Sequence, residues 1–212
     1  MITLLNTIAL KVDYDGDKRE LLARGALASL VQPVLNKMAM RLAEEKPALV
    51  RENDIIASTW LPPIPSEPFK RLILNEAKTA IGRFVPQTVS IEVTREGGHN
   101  RDNPLMAECD GEMKKEDIIR IIDEALDLGA CIITFTEGDP LLREDIFELI
   151  HHVDPKRAVV NMFTRGLEMT PEKAEKLKEV GLYNLLVGVY LSLIHISEPT
   201  RLLSISYAVF CL

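Results

Sequence analysis

Cysteine is scarce in this chain: three residues, Cys109, Cys131 and Cys211, among 212. Three thiols cannot build a disulfide framework, so a reducing cytoplasm is the expected setting. Basic residues are also short. Lys and Arg number 25 against 32 Asp and Glu, a formal charge of −7. That balance leaves no electrostatic footprint for nucleic acid. No apolar run is long enough for a bilayer; the stretch 202–212 is short and holds Ser204 and Ser206. The opening residues 1–10 lack a basic region before their apolar run and lead into the acidic stretch Asp13 to Asp17, which makes a poor export signal. No membrane partner is expected. What is present is ordinary globular material, 47% apolar by residue, which excludes a chain disordered throughout. The length suits one domain, or one domain and a piece of another.

The pattern divides the chain into three zones. Residues 1–86 read as a mostly helical N-terminal extension. Leu21, Leu22, Leu30, Val34, Leu35, Met38 and Leu42 fall mainly at helical spacing over 18–45, with Pro33 a break or restart. Pro47, Pro62, Pro63 and Pro65 mark a loop with one short strand near Asp54–Ser58. Ser66 is placed to cap a helix from Pro68 to Gly82, with Phe69, Leu72, Ile73, Ala77 and Ile81 on one side.

Residues 87–190 alternate strand and helix. Strands are predicted at Thr88–Thr94, Cys131–Thr136, Ala158–Phe163 and Tyr183–Tyr190. Between them, helices are predicted at Glu116–Leu128, Leu142–His151 and from Pro171 to Gly181, the last capped by Thr170. Gly129 sits where a C′ glycine belongs. Strands separated by helices and short turns imply a parallel sheet with right-handed crossovers. Residues 191–212 change composition abruptly. They hold two charged residues, Glu198 and Arg201, no lysine and four serines. This tail resembles the translated read-through of a sequencing adapter and is expected to be non-native. If so, the sheet stops after its fourth strand with an unpaired edge, which the leader, the tail or another chain must cover.

In a βα unit, sites are built in the loops at the carboxyl ends of strands. Here those loops are Arg95 to Cys109, Thr136-Glu137-Gly138-Asp139-Pro140 and Thr164-Arg165-Gly166. Together they resemble the radical S-adenosylmethionine (radical SAM) superfamily. Ile132 to Leu142 is similar to the family's second strand and its Gly-Gly-Glu-Pro loop, with Glu137 at the first glycine, Gly138 matching, Asp139 for glutamate and Pro140 matching. Val159 to Gly166 is similar to the third strand and its Thr-Asn-Gly end, with Arg165 for asparagine. Val89 to Thr94 is similar to the first strand. The resemblance implies a partial parallel (βα) barrel, truncated here after about four of six βα units, behind the helical extension. It implies SAM and a 4Fe–4S cluster as cofactors. It also implies reductive cleavage of SAM to a 5′-deoxyadenosyl radical, an electron donor such as ferredoxin or flavodoxin for an intact relative, and a substrate that the chain does not reveal. By resemblance, Glu137, Gly138, Asp139, Pro140 and Thr164 are the cofactor-binding residues, the loop meeting the amino group of SAM through backbone carbonyls and an acidic side chain.

The departure lies at the cluster. The family holds it with C-x-x-x-C-x-x-C, and the alignable positions are Gly97, Arg101 and Pro104. Thiolates are needed there because soft anionic sulfurs hold the irons. Glycine has no ligand, arginine stays cationic and proline has neither ligand nor N–H. His99, Asp102 and Cys109 are ligands in type, but their spacing fits no iron–sulfur pattern. This copy is therefore expected to be inactive, whether it is an evolved cluster-free relative or a text altered at these positions. The alternative is a cluster-free SAM-binding or scaffold protein on the same fold. An unrelated barrel or doubly wound enzyme ranks last, since Gly97-Gly98 alone is too little for a phosphate loop.

Overall fold

The computed structural model describes residues 2–8, 10–15, 20–44, 49–50, 55–56, 58, 60–97, 111–189 and 206–211. Among these, two compact units form. One comprises Met1–Val89, Ile122–Ile133 and Val153–Val159, and the other Ser90–Ile121, Thr134–His152 and Val160–Leu212.

The first unit corrects the helical reading of its opening. Instead of a helix from residue 18, there are three strands, β1 (Ile2–Asn6), β2 (Lys11–Asp15) and β3 (Glu20–Arg24). They form an antiparallel meander in the order β1-β2-β3. The adjacent Leu21 and Leu22 fit a helical or an extended reading equally; pairing with β2 decides. Helix α1 (Ala28–Glu44) follows and runs through Pro33 rather than breaking there. One missing N–H is tolerated because Val31 and Leu35, on either side, are buried at 1% and 0% exposure. The side-chain amide of Gln32 satisfies the outer edge of β3. Its oxygen accepts from Ala23 N–H (2.7 Å) and its nitrogen donates to Leu21 C=O (2.8 Å).

A short pair, β4 (Leu49–Val50) and β5 (Ile55–Ile56), leads to helix α2 (Glu67–Ala80). As the sequence predicts, Ser66 caps it, accepting from Phe69 N–H at 3.1 Å. Ile81 is the exception to the predicted apolar face, lying beyond the last turn and exposed. The meander, α1 and α2 enclose one core of Leu4, Val12, Leu21, Leu35, Phe69 and Ile73, joined by Cys131 and Ile132. Asp13 is buried in the meander, where Thr3 donates to it at 2.7 Å and Lys11 lies 3.4 Å away. The Thr3 hydroxyl, with Lys11 and Arg24 assisting, holds this carboxyl below the ordinary range against the opposing effect of burial.

The strand–helix alternation is as predicted. It runs β6 (Thr88–Glu92), α3 (Lys115–Leu128), β7 (Ile132–Thr136), α4 (Ile146–His152), β8 (Val159–Thr164), α5 (Pro171–Glu179) and β9 (Asn184–Val189). The predicted helix at 142–151 is divided: a 3-10 turn covers Pro140–Leu142, and α4 begins at Ile146. Strands β6 to β9 form a parallel four-stranded sheet in sequence order. Asn161 to Thr164 pair in register with Asn184 to Val187. The edge of β9 is not bare. A further strand, β10 (Ser206–Cys211), pairs with it antiparallel, Ser206 opposite Val189 and Cys211 opposite Asn184. No helix among the described residues is long and apolar enough to cross a membrane.

At the C-terminal end of α3, orphan carbonyls are met from α2. Arg71 donates to Leu126 C=O and, at 3.2 Å, to Gly129 C=O; Asn75, fully buried, donates to Gly129 C=O at 2.7 Å. Replacing Asn75→Ala is expected to cost about 1–2 kcal/mol of unfolding free energy in a urea titration. The acid limb should report Asp13. Its depressed carboxyl contributes stability that is complete above the ordinary value near 3.8 and is lost as pH falls through the lower folded value. Asp13→Asn should therefore flatten the pH dependence of stability below about pH 4, measured by chemical denaturation across acid buffers.

Candidate functional site

In a parallel sheet the chain leaves successive strands at the same end, so loops far apart in sequence meet there. The end concerned lies within the second unit. Ile91 and Val93 are buried, which fixes β6, and Thr94 follows at 3% exposure. The Thr94 hydroxyl donates to Glu112 and accepts from Glu96 N–H at 3.1 Å. Glu112 also accepts from Arg95 N–H at 3.1 Å. This makes a tight turn at the end of β6, closed from the far side of the loop.

The loop after β7 is held against that turn. Glu137 and Gly138 both have positive φ, 59° and 61°. A side chain on Gly138 would place its Cβ 2.3 Å from Thr94 C=O and 2.6 Å from Glu96 C=O. Only glycine allows this approach of backbone to backbone. Asp139 N–H then donates to Glu96 C=O at 2.7 Å. Asp139 caps the 3-10 turn that Pro140 opens, its Oδ1 accepting from Leu141 N–H at 3.2 Å.

The same carboxylate ties in β8. Oδ1 accepts from the Thr164 hydroxyl at 2.6 Å, and Oδ2 accepts from Arg165 N–H at 3.3 Å. Thr164 in turn accepts from Gly166 N–H at 3.0 Å. Asp139 is 1% exposed and Thr164 is 4% exposed, so this is an internal tie between loops. Glu137, by contrast, points no bond inward and is exposed. All five residues singled out from sequence, Glu137, Gly138, Asp139, Pro140 and Thr164, thus fall on one loop cluster at the strand ends.

The three expected cluster positions divide. Gly97 is at this mouth with φ of 73°. Its missing Cβ would lie 3.1 Å from Arg165 Nη2, Asp139 Cβ and Leu142 Cδ1. Arg101 and Pro104 lie outside the described residues, as do His99, Asp102 and Cys109. Among the described residues no group of His, Cys, Asp and Glu is placed to hold a metal ion. Cys131 is buried, and burial pushes its thiol up to about 11, so it remains protonated and poorly suited to bind iron.

Sequence reasoning missed Glu112 and Arg143. Arg143 forks onto Asp145 (2.5 and 3.1 Å) and donates to Val93 C=O (2.7 Å) and Met113 C=O (2.9 Å), pinning the loop after β7 to β6. Its place directly behind the Asp139-Pro140 turn was the available signal. Gly138→Ala should destabilise the fold by more than about 1 kcal/mol, from left-handed strain and the collision with two carbonyls, read as a lower midpoint in urea.

The comparisons with known proteins fall on this same region. A family model described as the Radical SAM superfamily matches residues 102–204. The chain is 32% identical over 105 residues to an AdoMet-dependent heme synthase of Nitratidesulfovibrio vulgaris, covering 48% of this chain and 29% of that protein. It is 36% identical over 81 residues to a PqqA peptide cyclase of Granulibacter bethesdensis, covering 38% of this chain and 22% of that protein. These matches span less than a third of either relative's length. Among solved structures, BtrN in complex with AdoMet and 2-DOIA aligns at 21% identity and a TM-score of 0.39, covering 48% of this chain and 44% of that one.

Proposed function

Because this chain belongs to the radical SAM superfamily, we propose that it binds SAM at the mouth of β6, β7 and β8 and that this copy does not assemble the family's cluster. The ligand-bearing part lies within residues 87–190. The main-chain carbonyls of Glu137 and Gly138 meet the amino group of SAM, and the exposed Glu137 carboxylate is free to assist. Asp139, Pro140 and Thr164 keep that loop in shape. Support for this assignment is geometric. The positive φ at Glu137 and Gly138 turns the loop at the strand end, and the buried Asp139 carboxylate fastens it to β8.

The cluster does not fit the residues present. The observation that carries this is Gly97: no side chain, and a niche already closed by an arginine side chain, a leucine methyl and Asp139 Cβ. Arginine is cationic at every accessible pH, the wrong sign for a site that gathers iron. Bound in an intact relative, the cluster supplies the electron that cleaves the sulfonium, delivered by a donor such as ferredoxin or flavodoxin. No such step is assigned to this chain. What its residues do is bind and orient. The whole protein's substrate is left to its other parts, since one fold carries many chemistries.

A second reading, a scaffold on the same fold that has kept no ligand, separates from the first by calorimetry. SAM is expected to bind without added iron. A folded sample giving no heat would favour the scaffold. For the cluster, the full chain would be incubated anaerobically with ferrous iron and sulfide and then desalted. Less than one iron per chain and no broad visible absorbance are expected. Retention of about four irons per chain would overturn the claim.

A further inference from the structure

Arg165 follows the last residue of β8, and its main-chain N–H is fixed to Asp139 Oδ2 at 3.3 Å. Its side chain is half-buried. Nη2 lies 3.1 Å from the point where a Cβ on Gly97 would stand, so the guanidinium occupies the niche that glycine leaves. Nε is shielded from solvent and has no hydrogen-bond partner among the described residues. Nε–H and Nη2–H lie along one edge of the guanidinium plane. That edge is a two-donor fork whose spacing matches the two oxygens of a carboxylate. A buried, unmet donor on a permanently charged group calls for an anion.

Resting on the reading that SAM binds at this mouth, we infer that Arg165 receives the carboxylate of that ligand's amino-acid end. The loop contributed by Glu137 and Gly138 lies beside it, linked through Asp139, so the amino group and the carboxylate of one amino acid can be met by adjacent loops. In a cluster-bearing relative the resemblance gives the carboxylate to an open iron. In this chain a fixed cation takes its place, and Gly97 is the residue that makes room for it. Gly97 and Arg165 therefore act as a pair: a side chain at 97 presses on Nη2 and disturbs the fork.

The test is calorimetric, on the full chain, with two ligands. S-adenosylmethionine carries the carboxylate; decarboxylated S-adenosylmethionine keeps the adenosine, sulfonium and amine without it. Binding is expected to favour the first by about tenfold or more. Arg165→Gln should bring that ratio close to one while leaving the decarboxylated ligand's affinity unchanged. Gly97→Ala should weaken S-adenosylmethionine alone. Circular dichroism melts check that each variant folds. If Arg165→Gln does not fold, Arg165→Lys, which keeps the charge without the fork, should give an intermediate ratio. Equal affinity for both ligands in the unaltered chain overturns the inference while the reading of a SAM site stands. Silence from both ligands in a folded sample removes that reading, and this inference with it.

Discussion

A carboxylate taken out of water must have its oxygens met by donors, and at Asp139 that requirement organises the loops at the strand ends. Its three donors come from Thr164, Arg165 and Leu141, so satisfying one side chain joins the end of β8 to the loop after β7. The main-chain N–H of the same residue reaches Glu96, which brings in the end of β6. Gly138 makes the approach possible by having no Cβ to strike the carbonyls of Thr94 and Glu96. The positions of Gly97 and Arg165 follow from this knot. They are neighbours because both are attached to residues that Asp139 holds.

The chemistry open to the mouth then turns on the sign of charge. A thiolate cluster concentrates negative charge around iron, whereas the guanidinium placed here is positive and has an unmet donor. The nearest alternative in residue type, Cys131, is buried among apolar side chains and keeps its proton. A scaffold can lose one cofactor site and keep the loops that surrounded it, because the loops are held by their own hydrogen bonds. The superfamily relatives carry names as different as a heme synthase and a peptide cyclase. Kinship alone therefore does not name a substrate.

The first unit is held together by a related device, side chains that serve main-chain groups left over at the ends of elements. Gln32 serves the edge of β3, and Arg71 and Asn75 serve the end of α3. Each lies within a helix whose other face is buried in the core, so the polar bond comes with apolar packing already in place.

Local chemistry determined a large part of this protein directly from its sequence. Ser66 and Thr170 cap helices because a hydroxyl before the first turn meets a free N–H wherever it occurs, and the β-branched runs at 88–92 and 159–164 extend for equally local reasons. The three strand-end loops could be picked out for the same reason. Tertiary structure decided the rest. The meander at 2–24 reads ambiguously in one dimension, because pairing across strands is what selects it. The continuation of α1 through Pro33 depends on the burial of Val31 and Leu35. That Asp139 is an internal tie, and that Arg165 fills the space beside Gly97, depends on contacts between residues tens of positions apart. No local spacing carries that information; it exists only once the sheet has brought the ends of its strands together.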